Sequence, residues 1–173
     1  MSLKPLLLLA LLLLPGCASV LDHSATPDLD GKAKWALLPI ANHTDTPQAG
    51  LRAEAITEGL LRSMGVASLT HYPATLSQDA LFEPTERKTV EDAKRWAKES
   101  GARYAVTGAV DEWRYKVGID GEPAVGVALS IVDLKSGATV WSAVGGKSGW
   151  SREALSSVAQ KLIKEMLGSA GVR

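Results

Sequence analysis

The chain has 173 residues, of which 46% are hydrophobic, and its 19 Lys+Arg balance its 19 Asp+Glu to a formal net charge of zero. This length and apolar content are typical of one globular domain with a hydrophobic core, and the balanced charge excludes the strongly basic footprint of a nucleic-acid-binding protein. The single cysteine excludes a framework of internal disulfides.

The pattern of the first 16 residues predicts a secretory signal peptide. Lys4 precedes an unbroken apolar run, Leu6–Leu14, and Pro15 and Gly16 end that run. A helix that crosses a bilayer needs about 20 apolar residues, so this run is too short to be a membrane span. We therefore expect residues 1–16 to be removed after export.

Cys17, the only cysteine, follows the signal peptide directly. Residues 14–17 resemble the lipobox of bacterial lipoproteins, in which a small residue precedes the cysteine that is acylated. This position favours lipidation of Cys17 over the alternative of a chance cysteine after an ordinary secretory signal. The next residue is Ala18 and not aspartate, which by resemblance to the sorting rule of Gram-negative lipoproteins predicts the outer membrane, with the domain facing the periplasm.

Residues 17–33 are interpreted as the lipidated cysteine and a flexible tether. They are polar and show no apolar periodicity, and a coil of this length has an end-to-end distance of roughly 20–25 Å. The folded domain is predicted over residues 34–173.

Apolar periodicity predicts a strand and a helix at the start of this domain. The strand is Trp35–Ala41. The helix is expected to have Thr46 as its N-cap, Pro47 as its first residue and Gly65 at its end. Its apolar stripe consists of Ala49, Ala53, Ile56, Leu60 and Met64.

A second strand and a second helix are predicted next. The strand is Val66–Tyr72, and residues 73–88 form a polar connection. The segment that begins at Thr89 resembles a capping box, so the helix is expected to run from there to Ser100, with Gly101 behind it.

Three strands and a last helix complete the domain. The strands are Ala102–Trp113, Val125–Ile131 and Thr139–Val144. The helix, Leu155–Leu167, keeps an i, i+3, i+4 apolar pattern with Ser151 as its cap. We predict the α/β (α+β) class: a single sandwich domain in which a mixed β-sheet is packed by about three helices.

The sequence offers no metal site, cofactor site or catalytic motif. His23, His43 and His71 have neither the spacing nor the neighbours of metal ligands. The segment Gly145–Gly149 contains the Gly-Lys-Ser of a phosphate-binding loop, but Trp141 occupies the place of that motif's first glycine. We interpret the segment as a flexible connection between a strand and a helix, and the protein as no enzyme.

Tryptophan supplies five of the nine aromatic residues. Core packing is the interpretation for Trp35, Trp96 and Trp141, and for Trp113 core and surface are equally favoured. Trp150 differs, because it lies in a Gly/Ser-rich loop with Lys147 and Arg152 nearby. An indole flanked by cations suits the interface between lipid and water, so these three residues are predicted to contact the membrane.

Several segments resemble one known family. They are Trp35–Glu54, Ala105–Gly108, Trp113–Lys116, the Ser136-Gly137 turn and Gly149–Ser151. Together they are similar to the PelC family, lipoproteins of the outer-membrane apparatus that exports the Pel exopolysaccharide in biofilm formation.

The resemblance implies a homo-oligomeric ring, a dodecamer being one candidate, that faces the periplasm and contacts outer-membrane lipid. Its further implied partners are the outer-membrane porin PelB and a cationic polysaccharide. Such a ring carries an aromatic belt against the membrane, to which Trp150 is assigned, and an acidic funnel that guides the polymer. The funnel candidates are Asp111, Glu112, Asp120, Glu122 and Asp133. The alternative for each acid is a solvated loop or a surface ion pair.

Two other functions stay open at this point. A lipoprotein activator of a penicillin-binding protein, which regulates peptidoglycan synthesis, would use a similar fold as a monomer on a longer tether. A curli-type secretion lipoprotein would need membrane-spanning strands, and the chain has few to spare. An enzyme of envelope sugars ranks behind both.

Overall fold

A six-stranded mixed sheet with helices on both faces organises the computed structural model, which describes residues 19–73, 85–118 and 121–173. The predicted signal peptide, Cys17 and Asp120 lie outside these described residues, as does most of the predicted connection at 73–88. Of residues 85–88 only the backbone is described.

The elements alternate between strands and helices in the first part of the chain and end with a three-stranded meander and a helix. They are β1 Ser19–His23, β2 Lys34–Asn42, α1 Ala49–Ser63, β3 Ser68–His71, α2 Thr85–Glu99, β4 Tyr104–Tyr115, β5 Pro123–Asp133, β6 Thr139–Ser148 and α3 Leu155–Gly168. The strand order is β1-β6-β5-β4-β2-β3, with β2 parallel to both β3 and β4 and the other pairs antiparallel. The predicted α+β domain with a mixed sheet and three helices is confirmed.

The main core lies between one face of the sheet and helices α1 and α3. Along β5, Val127, Leu129 and Ile131 are buried on this face, while the residues between them are half-buried on the other. This period of two follows from the pleat of a strand. Helix α3 buries the predicted apolar stripe, from Val158 to Leu167.

The tryptophans divide as their sequence context indicates. Trp35 and Trp141 are fully buried in the main core. Trp113, for which the sequence favoured neither place, also lies in that core. Trp96 is half-buried against a smaller core between α2 and β2, where its ring meets Tyr72 edge-on at 5.3 Å.

The predicted flexible tether is wrong from Ser19 onward. Residues 19–23 form β1, which pairs with β6 along one edge of the sheet. Further along, Leu29 is 3% exposed, its N–H donates to Gly171 O at 3.0 Å, and Arg173 N–H donates to Leu29 O at 3.0 Å. Most of β1 is exposed, so backbone hydrogen bonds hold this segment and it carries no apolar period for sequence reasoning to detect.

The predicted helix starts are also corrected. Helix α1 begins at Ala49 behind Gln48, whose φ is 61°, and the Thr46 hydroxyl donates to Trp113 O and caps nothing. Helix α2 begins at Thr85, so Thr89 lies inside it. Helix α3 begins at Leu155, and Ser151 lies in the preceding turn. Thr46 is held by a tertiary hydrogen bond, and Thr89 lies inside a helix that is longer than predicted.

Strand β6 runs further than predicted. It continues to Ser148, so Gly145–Ser148 is paired strand and not a flexible connection. Within the described ranges, no helix is both long and apolar enough to cross a bilayer.

Candidate functional site

One end of the sheet, which we call the upper end, holds four of the seven predicted site residues that the structure describes: Glu122, Lys147, Trp150 and Arg152. It comprises Ser19 of β1, Tyr115 of β4, Pro123 of β5 and Ser148 of β6, with the loops that follow. Strand β1 runs antiparallel to β6, and Ser19 is paired with Lys147. Cys17 precedes Ser19 by two residues in the sequence.

The loop of Trp150 lies at this upper end and is tightly tied. Gly149 N–H donates to Pro123 O at 2.9 Å, and Trp150 N–H donates to Glu153 Oε2 at 3.2 Å. A Cβ on Gly149 would lie 2.5 Å from Val158 Cγ2, so the loop packs closely on α3. Trp150 itself remains 53% exposed. The indole is therefore presented to the outside from a structured turn.

Glu153 organises this turn electrostatically. Its Oε1 accepts a hydrogen bond from Lys161 Nζ at 2.6 Å. That bond, followed by the bond from Trp150 N–H, lowers the pKa of the Glu153 carboxyl. The carboxylate thus stays ionised and connects the Trp150 loop to helix α3.

The two cations predicted beside Trp150, Lys147 and Arg152, differ in how exposed they are to solvent. Lys147 has a side chain only 16% exposed, and its Nζ lies 3.1 Å from Glu165 Oε2 of α3. We correct its assignment to membrane contact, because this ammonium is already paired on the helix side of the sheet. Arg152 is exposed in the turn, where its φ is 67°.

Three residues of the β4–β5 hairpin were missed by sequence reasoning. Val117 is fully exposed and Tyr115 is 50% exposed. Between them, Lys116 Nζ donates to Ser148 Oγ at 2.8 Å. The sequence signal for these residues was a pair of apolar side chains beside a lysine in a turn. Their proximity to the Trp150 loop could not be predicted, because it depends on the order of the strands in the sheet.

An acidic cleft lies beside β4, where β2 ends. The cleft, of about 410 Å³, is lined by residues 43–46 and 111–114. Its acids are Asp45, which is exposed, and Asp111 and Glu112, whose side chains are 54% and 36% exposed. The two segments meet because β2 and β4 are parallel and Asn42 is paired with Val110.

A β-bulge allows two consecutive acids to line the same cleft. Neighbouring residues on a regular strand point to opposite faces, but the register of β4 shifts between Val110 and Glu112. Asp111 Oδ1 lies 2.9 Å from His43 Nδ1, and Glu112 Oε1 accepts a hydrogen bond from Arg114 Nε at 2.9 Å. Three carboxylates therefore share this cleft with one guanidinium and one imidazole.

The remaining funnel candidates do not join this cleft. Glu122 lies at the upper end, with its Oε2 3.6 Å from Lys116 Nζ. Asp133 lies at the opposite end of β5 from Glu122, and the two ends of an 11-residue strand are roughly 30 Å apart. Asp120 is outside the described residues.

Asp133 is a structural carboxylate, and its assignment to the funnel is corrected. It is 7% exposed, receives Arg103 Nη2 at 2.7 Å, and accepts the Lys135 and Ser136 N–H groups in the turn that follows β5. The Arg103 hydrogen bond is the main cause of its lowered pKa. This carboxylate is saturated with donors and has no capacity left for a polymer.

The described residues contain no group of three His, Cys, Asp or Glu side chains that could hold a metal ion. Sequence reasoning also missed Asp45 and His43 as cleft residues. Their signal was a polar loop directly after a buried strand, the position at which parallel strands commonly present functional side chains.

The chain matches no protein-family model and no curated protein. It is similar to the PelC dodecamer from Paraburkholderia phytofirmans, with a TM-score of 0.77 and 41% sequence identity over 90% of this chain and 99% of that chain. It also resembles the lipoprotein GNA1162 from Neisseria meningitidis, with a TM-score of 0.58 and 18% identity over 79% of this chain and 96% of that one. The C-terminal domain of LpoB from Salmonella enterica has a TM-score of 0.50 and 15% identity over 72% and 87% of the two chains. The last two likenesses concern the fold alone.

Proposed function

This chain belongs to the PelC family, and from that premise we propose that it is a lipid-anchored, ring-forming protein of the outer membrane. The ring stands at the periplasmic face and guides the cationic Pel exopolysaccharide to the porin PelB. The acyl group on Cys17 and the indole of Trp150 together seat each subunit on the membrane.

The pairing of β1 with β6 is the observation that carries this proposal. Ser19 lies opposite Lys147, which precedes Trp150 by three residues. The acylation candidate and the exposed indole therefore belong to one end of the sheet. A membrane anchor combines well with an interfacial tryptophan at the same surface, because the acyl chains hold the domain at the bilayer and the indole orients it there.

A ring gives the acidic cleft its effect. The P. phytofirmans relative is a dodecamer, and a closed ring repeats each carboxylate once per subunit. A concave surface of one sign focuses the electric field and raises the local concentration of a counter-charged polymer. We assign guidance of the polymer to Asp45, Asp111, Glu112 and Glu122, with Asp120 retained from the sequence.

The structure favours this function over an activator of a penicillin-binding protein. An activator reaches its enzyme on a long tether, and here only one residue, Ala18, separates Cys17 from the first strand. The likeness to LpoB concerns the fold alone.

Replacement of Trp150 tests the seating. Trp150→Ala removes a half-exposed side chain that does not belong to the buried core, so we expect the fold and native mass to be unchanged. The acylated variant should dissociate several-fold faster from anionic liposomes, and cells that carry it should secrete less polymer. The matched control is Val144→Ala, since Val144 is 59% exposed in the middle of β6 and away from the upper end.

Two outcomes would refute the proposal. Normal secretion together with unchanged liposome binding in Trp150→Ala would contradict the proposed membrane contact of Trp150. A monomeric native mass of the mature chain at high concentration would contradict the proposed ring.

A further inference from the structure

The tip of the β4–β5 hairpin presents apolar surface that its own subunit leaves uncovered. Val117 is fully exposed and Tyr115 is half-exposed. Single exposed apolar residues are common on proteins, so exposure alone assigns no role. The position of this tip in the fold supplies the further argument.

On the β2 side the hairpin extends past the end of its neighbouring strand, while on the other side β6 runs beside β5 as far as Ser148. Strand β2 ends at Asn42, which is paired with Val110, whereas β4 and β5 remain paired as far as Tyr115 and Pro123. The hairpin therefore continues for about five residues, or roughly 15 Å, beyond the end of β2. Val117 lies past the last of these pairs.

Side-chain contacts fix the hairpin tip to the Trp150 loop. The Tyr115 hydroxyl accepts the Leu155 N–H at 3.2 Å and lies 3.4 Å from Glu153 O, to which it donates. Lys116 Nζ donates to Ser148 Oγ at 2.8 Å. The two loops thus form one connected surface at the end of the sheet where β1 begins.

We infer that the hairpin tip, Tyr115–Val117, is a second membrane-contact element, in which Val117 enters the boundary between lipid headgroups and acyl chains. The inference rests on the proposed seating by Cys17 and Trp150, since those residues define which end faces the bilayer. It adds a contact on a separate hairpin and so gives each subunit two apolar insertions beside its anchor.

The composition of the tip favours lipid over a protein partner. A stable protein interface needs a surface of about 800 Å² on each side with complementary shape. The tip offers instead one uncovered valine and a half-exposed tyrosine, and the Lys116 ammonium beside them is paired with Glu122 at 3.6 Å. A small apolar and amphipathic surface of this kind suits the boundary between lipid headgroups and acyl chains.

Fluorescent labelling of single positions tests this inference. The acylated full chain is prepared as Val117→Cys, Trp150→Cys and Val144→Cys variants, each labelled with an environment-sensitive NBD dye at the introduced thiol, because the acylated Cys17 offers none. The labelled proteins are added to vesicles of phosphatidylethanolamine and phosphatidylglycerol, with and without doxyl-labelled lipid. Val144 is the matched control, an exposed valine about four residues below the upper end.

We expect the dye at position 117 to shift to the blue on vesicle binding and to lose its emission to doxyl lipid, as the dye at position 150 does. The dye at position 144 should show neither change. If position 150 responds and position 117 does not, the hairpin inference is overturned while the membrane seat stands. If neither responds, the proposed seat fails as well, and equal quenching at all three positions would overturn the inference by showing unspecific adsorption.

Discussion

At the scale of single residues, Asp133 shows how a sequence count of acids differs from an electrostatic surface. It has the same formal charge as Asp111, but Arg103 and two backbone N–H groups occupy its oxygens. Sequence reasoning could not detect this, because Arg103 is 30 positions away. The burial of Trp35 and Trp141 was predictable, since both lie in apolar segments.

The lowered pKa of Asp133 predicts a specific dependence of stability on pH. A carboxyl whose pKa is lowered by folding stabilises the folded state above its ordinary pKa, and this contribution is lost as the pH falls through the lower, folded-state value. Asp133→Asn should therefore be less stable than the parent chain at neutral pH. Below about pH 4 the parent chain loses the contribution of this carboxylate. The free energy of unfolding should therefore fall less on acidification in Asp133→Asn than in the parent chain.

Urea unfolding midpoints measured at neutral pH and through the acidic range would test this. Glu91→Gln is the control, because Glu91 is an exposed acid on α2 with a side chain 70% exposed. If the urea midpoint of Asp133→Asn falls with acidification as steeply as that of the parent, the stabilising role of the Asp133 carboxylate is contradicted.

At the scale of elements, apolar periodicity predicted the strands and helices that contribute to the core. It did not predict β1, which is held mainly by backbone hydrogen bonds. Helices α1 and α3 and strands β4 and β5 were found because their buried faces repeat regularly. Strand β1 was missed because four of its five residues are exposed. The acidic cleft was missed because a bulge in β4 and a loop 68 positions earlier create it together.

Two glycines of α1 predict opposite effects of one substitution. A Cβ on Gly50 would lie 2.2 Å from Ile40 O, whereas a Cβ on Gly59 would meet nothing within 4 Å. Gly50→Ala should destabilise the fold by about 1–3 kcal/mol, because the first turn of α1 must move away from β2. Gly59→Ala should stabilise it by about 0.5–1 kcal/mol, because alanine loses less backbone entropy in a helix.

Free energies of unfolding in urea would separate the two variants. If both variants change the free energy of unfolding in the same direction, the close contact between α1 and the end of β2 does not determine the effect of a side chain at position 50.

At the scale of the whole molecule, the balanced net charge conceals an uneven distribution. Nineteen cations and nineteen anions cancel over the chain, yet the cleft between residues 43–46 and 111–114 holds three carboxylates and one arginine. The family could be predicted from sequence segments that span the domain. Asp111 and Glu112 were named from the sequence as separate acids, but the cleft that they form with Asp45 was not, because it depends on the bulge in β4 and on the loop that follows β2.

Neutralising the cleft should impair transport of a cationic polymer and leave assembly unchanged. The double variant Asp111→Asn, Glu112→Gln removes two carboxylates per subunit, and a closed ring multiplies the loss. We expect reduced secretion of the cationic polymer and a native mass equal to that of the parent ring, since both side chains are partly exposed and outside the core.

Glu91→Gln again serves as the control, because it removes an exposed charge on α2. Polymer retention should also fall less steeply with added salt in the double variant, as expected when fewer exposed charges take part. An equal defect in the transport of an uncharged polymer would argue against electrostatic guidance.

The position of β1 also determines how the protein can be released from a membrane. Proteases cut most easily in exposed, flexible segments. With Cys17 acylated as proposed, only Ala18 separates the lipid from a strand that is paired along five residues. Cleavage between the lipid and β1 would therefore require β1 to detach from β6 first. Release by such a cut is limited by the local unfolding free energy of that sheet edge, so the pairing of β1 with β6 protects the link between the domain and its anchor.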